Sequence, residues 1–482
     1  MNEYFLNVVS PEDAARTRRL STMCELETLC LNDYAELTAV VTDDAQITYQ
    51  QLWDDVARIR GGLLAAGLTR GEVVAVAMPN NLNAIESFLA IITAGGVAAM
   101  LPGAMSGAAL VGPCRLLGAK RIITHHADAP VPVLNPDELR KSEPAPAADM
   151  KPAEIAAAFF TGGTSGKPKA AMLCHRAIMT GVYNGIFAPN GSYQQRYYAL
   201  LPFSHVFGTI RNMLTCFQTG STLRTCTDMT RLVADLQSFR PTILVLVPAL
   251  VDMLLGLAKK FGLGVIGGCV KTIIAGAAPV PTHVGREFAK LGVTVCPGYG
   301  LTETSNLVSG NGDMVERPES VGKLYPNQEI RFENGEIWLR GEHLFSGYIN
   351  DPAETAAAFT DGWFRTGDLG HMDEDGYLYI TGRIKNIIVL ANGEKISPEE
   401  LERLVDEIPL VKGSLVKMAP NQFGAEVLTC EVLPVPDADV EEVRRLIEGV
   451  NATLPAATQI QQITFRTTDF KRTPAMKIVR NQ

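Results

Sequence analysis

Apolar positions along this chain follow two rhythms that alternate over much of its length. Residues 52–66 place apolar side chains at helical spacing and stop at Gly67; residues 72–77 form a short Val/Ala run; residues 82–94 return to helical spacing and 121–124 to a strand pattern. A Pro- and Ala-rich stretch at 144–152 reads as an exposed linker, after which the alternation resumes. It predicts a strand at 155–160, a helix at 174–185, a strand at 242–247, a helix at 249–260 and a strand at 272–275. Alternation of this kind builds layered α/β domains with mainly parallel strands. Past about residue 329 the texture changes to short strands, EIRF, ENGEIWLR, SGYI and GYLYITG, punctuated by Asn334-Gly335 and Asp375-Gly376, pairs that hairpins favour. Helical patterns near 398–407 and 437–453 close the chain. The expected fold is α/β: a large N-terminal layered body with a small β-rich section, plus a mobile C-terminal α+β domain.

At 482 residues the chain is long enough for about three domains of ~150 residues, or one large one with an appendage. Lys and Arg total 43 against 52 Asp and Glu, a net charge of -9. That disfavours nucleic acid or an anionic membrane as partner, since both need a basic field. It leaves room for a nucleotide ligand, which needs only local donors. Nine cysteines include no C-x-x-C pair, so the expectation is reduced thiols rather than a zinc site or disulfide framework. The opening residues lack the basic-then-apolar order of a secretory signal, and no apolar run approaches the ~20 residues of a membrane span. A cytoplasmic protein is expected.

Two glycine-rich stretches compete for attention. Gly262, Gly264 and Gly267 satisfy the G-x-G-x-x-G dinucleotide pattern, but they follow a helix and precede a strand, the reverse of the required context. They read as a turn. The stretch from Phe160 to Lys169 (FTGGTSGKPK) follows a predicted strand, with a helical pattern from Met172. Its small residues let backbone approach anionic oxygens, Thr161, Thr164 and Ser165 offer hydroxyls, and Lys169 offers a point charge. It is not a Walker A loop: Thr161 stands at the first glycine and Pro168 where Ser or Thr would hold magnesium.

This stretch resembles the phosphate loop of the adenylate-forming superfamily, which includes the AMP-forming acyl-CoA synthetases. Further segments resemble that family's motifs in order: AGAAPV at 275–280, GYGLTET at 298–304, RTGDLG at 365–370, GRIKNIIVLANGEKISPEELE at 382–402 and TPAMKIVR at 473–480. The resemblance implies that Thr161, Gly162, Gly163, Thr164, Ser165, Gly166 and Lys169 hold the ATP phosphates, and that Ala277, Pro279, Tyr299, Gly300 and Thr302 border the nucleotide. Tyr299 would stack on adenine. Glu303 would bind Mg²⁺ with phosphate oxygens. Asp368 would accept the ribose hydroxyls with Arg383 assisting, and Ile380 would pack beside the nucleoside. Lys477 is the implied catalytic cation, stabilising charge at the α-phosphate. Lys385 is the implied hinge between an adenylation domain at 1–384 and a mobile C-terminal domain at 385–482. His205 is implied at the entrance of the acyl pocket, lined by Val206, Phe207 and Gly208. The chain departs from the family pattern at Gly162, Ala170 and Met476.

What the resemblance implies is an AMP-forming acid–thiol ligase. A carboxylic acid, fatty or aryl, would react with ATP to give acyl-AMP and pyrophosphate, and the acyl group would pass to CoA. The alternative acceptor is the phosphopantetheine of a carrier protein supplied in trans. The segment 203–211 contains no acid to bind an α-amino group, so amino acids are disfavoured and apolar burial is expected to select the substrate. Arg211 is expected at the surface or an interdomain seam, the alternative being a partner for the second carboxylate of a diacid.

Overall fold

In the computed structural model, residues 10–161, 168–310, 312, 314–390, 393–472 and 478–480 are described. Two seven-stranded sheets form the body. In the first, Ile155–Phe160, Val97–Pro102, Val73–Met78, Arg121–Thr124 and Val133–Leu134 run parallel, while Ala170–Cys174 and Gly347–Tyr348 add an antiparallel edge. In the second, Thr294–Pro297, Thr272–Ala275, Ile243–Leu246, Arg196–Ala199, Thr222–Thr225 and Thr38–Val41 run parallel, and Gln46–Thr48 closes the edge antiparallel.

Strand alternation explains the layering, since successive side chains face opposite sides of a sheet. Val74, Val76, Tyr197, Val245 and Ile274 join one core that also takes in the helices Tyr49–Ala65, Leu82–Thr93 and His175–Ile186, so these helices lie between the two sheets. Tyr198, Leu244, Leu246 and Ile273 face the opposite side, against the helices Pro248–Phe261 and Thr282–Lys290. Ala75 and Ala77 similarly pack on the helix Ala108–Leu117. The inner helices start where their caps dictate. Thr48 Oγ1 accepts from the Gln51 N–H at 3.2 Å while Gln51 returns a carbonyl oxygen to the Thr48 N–H at 2.9 Å, a capping box worth about 1 kcal/mol.

The β-rich section is an antiparallel sheet in the order Tyr299–Gly300, Leu307–Gly310, Ser320–Leu324, Tyr377–Arg383, Trp363–Met372, Glu336–Gly341 and Gln328–Glu333. At its Asn334-Gly335 turn both residues take positive φ, 51° and 82°, as a two-residue hairpin of the favoured hand requires. The last section pairs Val411–Pro420, Glu426–Pro434 and Gln462–Phe465 under the helices Pro398–Asp406 and Val440–Asn451. The Gly262–Gly267 stretch is a helix-to-strand connection, with a short 3₁₀ turn at Leu263–Ile266. Among the described residues no helix is long and apolar enough to cross a membrane.

Candidate active site

The strands Ile155–Phe160 and Ala170–Cys174 pair antiparallel, so the glycine-rich stretch is the loop of a hairpin. The Thr161 N–H donates to the Lys169 carbonyl at 2.9 Å and closes the base of that loop. The helix expected at 174–185 runs over His175–Ile186, and the helical pattern read from Met172 is strand there because Ala170–Cys174 is held in the sheet by pairing. Among the described residues no helix begins directly after the loop, so backbone N–H groups and hydroxyls are what this stretch has to offer an anion. Gly162, Gly163, Thr164, Ser165 and Gly166 lie outside the described residues, as does Lys477.

At the base of the loop Lys169 pairs with Glu354 and sits 5.1 Å above the Tyr348 ring. The Tyr348 hydroxyl donates to Glu303 Oε1 at 2.8 Å. Glu303 is the middle residue of the 3₁₀ turn Thr302–Thr304. That turn is shaped by Thr304 Oγ1, which accepts from the Leu301 N–H at 2.8 Å, and by Ser305 at φ 61°. Gly300 has no room for a side chain, since a Cβ there would lie 2.2 Å from the Asn306 carbonyl oxygen. Burial raises the pKa of the Glu303 carboxyl, and the Tyr348 hydrogen bond works against that rise.

On the facing strands Asp368 and Arg383 are register partners. Arg383 Nε donates to Asp368 Oδ1 and Nη2 to Oδ2 at 3.3 Å, while the Tyr299 hydroxyl donates to Oδ2 at 2.7 Å. Burial, reinforced by the neighbouring carboxylate, keeps the Tyr299 phenol protonated and hence a donor. Ile380 packs on the same cluster as Tyr299. Thr302 is buried and Pro279 exposed. Ala277 takes φ 72°, a left-handed conformation that costs an L-residue about 1–2 kcal/mol and that clusters at functional sites. Lys385 lies exposed on the 3₁₀ turn Ile384–Asn386, directly after Arg383.

The acyl-side residues fall on a different element. His205 is half-buried, and its Nδ1 accepts from the Phe207 N–H at 3.2 Å, which assigns its proton to Nε2. Residues Phe207–Leu214 form a π-helix in the layer between the two sheets. Val206 and Phe207 are buried there, and a Cβ at Gly208 would lie 2.3 Å from the Pro202 carbonyl oxygen. A cavity of about 200 Å³, lined by Met78, Asn80, Leu101, Pro202, Ser204 and Cys226 among others, opens beside the same segment. Arg211 is not at a surface or a seam. It is 0% exposed, because the π-helix carries it between the sheets. Tyr348 and Glu354, which hold Glu303 and Lys169, went unrecognised in the sequence. Their roles come from packing of a sheet edge that no local pattern announces.

Residues 30–349 match the family of AMP-binding enzymes, and residues 385–482 match the C-terminal domain of AMP-binding enzymes. A probable CoA ligase of Humulus lupulus is 29% identical over 453 residues, covering 84% of this chain and 85% of its own. A crystal structure of an anthranilate CoA ligase with anthranoyl-AMP superposes with a TM-score of 0.86 at 21% identity, covering 96% of this chain and 97% of that one. An ATP-bound RpMatB-BxBclM chimera superposes with a TM-score of 0.82 at 26% identity, covering 95% and 97%.

Proposed function

The chain belongs to the AMP-binding enzyme family, and on that premise we propose that it is an AMP-forming carboxylic acid–CoA ligase. One observation carries the reading beyond the family. Two polar clusters stand in order from the base of the glycine-rich loop: Lys169, Tyr348 and Glu303, and then Arg383, Asp368 and Tyr299 at the proposed ribose site, with Arg383 near enough to favour the charged form of Glu303. Relatives named as CoA ligases favour CoA over a carrier protein as the acceptor.

In the first half-reaction a carboxylate oxygen of the acid attacks the α-phosphorus of ATP, and pyrophosphate leaves with its bonding electron pair. The hairpin loop residues Thr161–Lys169 bind the departing phosphates. Glu303 with phosphate oxygens would hold magnesium, a hard cation that shares its oxygen ligands with substrate and neutralises phosphate charge. Asp368 is already oriented by Arg383 and Tyr299, so its remaining lone pairs can accept the ribose hydroxyls without reorganisation. Lys477 stabilises the charge gathering on the transferred phosphate. In the second half-reaction the thiol sulfur of CoA attacks the acyl carbonyl, the thiol proton passes to solvent or base, and AMP departs.

Mass spectrometry of reactions with ATP, magnesium, CoA and an acid library tests the reading. Acyl-CoA, AMP and pyrophosphate should form in equal amounts and only when an acid is present. Release of ADP, or acyl-AMP that never passes to CoA, would overturn it.

A further inference from the structure

Two other deeply buried arginines show how this fold treats a structural guanidinium. Arg60, 1% exposed, donates to both oxygens of Glu27 at 2.8 and 3.0 Å and to Thr93 Oγ1 at 2.8 Å. Arg224, 8% exposed, donates to Asp43 and Asp235 at 2.7 and 2.9 Å. Arg211, 0% exposed, breaks this pattern: among the described residues Nε, Nη1 and Nη2 find no hydrogen-bond partner of good geometry. A buried charge without a partner is among the most unfavourable arrangements a fold can hold, and native proteins reserve it for places where a partner arrives.

The surroundings say what that partner is. Arg211 faces Tyr197 of the strand Arg196–Ala199 and lies near Tyr325, two phenols that burial pushes up to about 12 while the guanidinium draws them back. Both therefore stay protonated at neutral pH. The Tyr197 hydroxyl, also buried, makes no hydrogen bond of acceptable geometry. The three guanidinium nitrogens only donate, this hydroxyl can donate as well as accept from the guanidinium beside it, and no carboxylate pairs with Arg211 among the described residues. Two parallel N–H groups of a guanidinium match the two oxygens of a carboxylate.

Position supplies the rest. The π-helix starts at Phe207, whose ring lies against Gly276, where a Cβ would come 3.0 Å from Phe207 Cζ. Gly276 immediately precedes Ala277 at the nucleotide edge. The i→i+5 hydrogen bonding of a π-helix widens each turn, so residues four apart share a face. Arg211 therefore lies one turn further along the same helix than Phe207, buried between the sheets.

We propose that Arg211 and Tyr197 form an anion subsite at the far end of the acyl site, and that the acid activated here is a dicarboxylic acid. One carboxylate would be adenylated while the other rests on Arg211. The assignment of substrate class rests on the acid–CoA ligase reading, whereas the anion subsite does not. It also replaces the expectation that apolar burial alone selects the acid.

The test compares α,ω-dicarboxylates of four to ten carbons with monocarboxylates of equal length, in acid-dependent AMP formation with ATP and CoA. The preferred diacid should exceed its monoacid in kcat/KM. Arg211→Met should lower that diacid by at least about 30-fold and leave the monoacid unchanged or improved, the loss expected on truncating one partner of a buried charge pair. Arg211→Lys should keep part of the preference. Independently of turnover, the diacid should raise the melting temperature of the wild-type protein but not of Arg211→Met, and the unliganded variant should melt no lower than wild type. If Arg211→Met instead melts lower and depresses both acid classes equally, the arginine is structural and the subsite falls. If monoacids drive AMP formation while no diacid is favoured or shifts melting, the subsite falls and the ligase reading stands. If no acid drives AMP formation but the diacid still shifts melting through Arg211, the ligase reading falls and the subsite stands.

Discussion

Gly208 and Arg211 share one π-helix and are fixed there by different physics. Gly208 is set by sterics, because any side chain would collide with the Pro202 carbonyl. Arg211 is held by packing beside Tyr197 and Tyr325, and among the described residues its donors find no acceptor of good geometry. Sequence reasoning placed Gly208 in the acyl-pocket lining by resemblance and expected Arg211 at the surface or an interdomain seam, with a diacid's second carboxylate as the alternative; neither the steric fit nor the burial was visible there. Asp368 was more legible, because the T-G-D setting resembles a known ribose segment, yet its Tyr299 partner comes from a strand about seventy positions away in sequence and appears only in the fold. Lys477 is legible from its setting alone. Lys477→Ala should slow acyl-AMP formation by about 10²–10³, the usual effect of removing one preorganised donor, while thioester formation from supplied acyl-AMP continues. Single-turnover assays of the two half-reactions decide this, and equal damage to both would contradict the role.

Among the elements, those with strong periodicity stand where the pattern placed them, within a residue or two. The helix read at 82–94 is Leu82–Thr93, and the strands at 121–124, 155–160 and 272–275 keep the expected bounds. The helix read at 174–185 is His175–Ile186, and the helical pattern read from Met172 gives way to a strand there for a plain cause. AAMLC suits a helix by composition, but pairing with Ile155–Phe160 outweighs local preference. The π-helix also escaped notice, since its apolar pattern differs little from that of an α-helix over eight residues. The turn Ile384–Asn386 joins the β-rich section to the last part of the chain, and Lys385 is its middle residue. If the two parts rotate about this residue, Lys385→Pro should impair CoA transfer and spare acid-dependent ATP–pyrophosphate exchange. Proline fixes φ near -65° and blocks the dihedral change. Full retention of both activities would remove the hinge.

For the whole molecule, one carboxylate of the last section bridges to the body. The helix Thr282–Lys290 follows Pro281, which supplies no side-chain cap, and the first N–H groups of the helix, those of Thr282 and His283, donate instead to Glu407. Arg403 adds an ion pair to Glu319. Burial opposes ionisation of Glu407, but the His283 and Thr282 hydrogen bonds prevail and hold its pKa down at about 2, against 4.5 for an ordinary glutamate. A depressed carboxylate pKa stabilises the contact above the ordinary value, and that stability fades as pH falls from about 4.5 toward 2. Energy transfer between dyes on the two parts should therefore be steady from pH 5 to 8 and change below about pH 4.5. Glu407→Gln should show the altered signal already at pH 7, having lost a charge worth about 0.3–1 kcal/mol at a helix N-terminus. Identical curves for variant and wild type would show that the contact does not depend on this charge. By itself the sequence determined the α/β layering, the hairpin turns and the ordered motifs, because periodicity, turn chemistry and short motifs are local properties of a chain. Only the tertiary structure decided that Glu407 caps a helix of the body, that Tyr348 holds Glu303, and that Arg211 is buried without a counter-charge among the described residues. Each of these depends on which distant groups share a small volume, and neighbouring letters do not encode that.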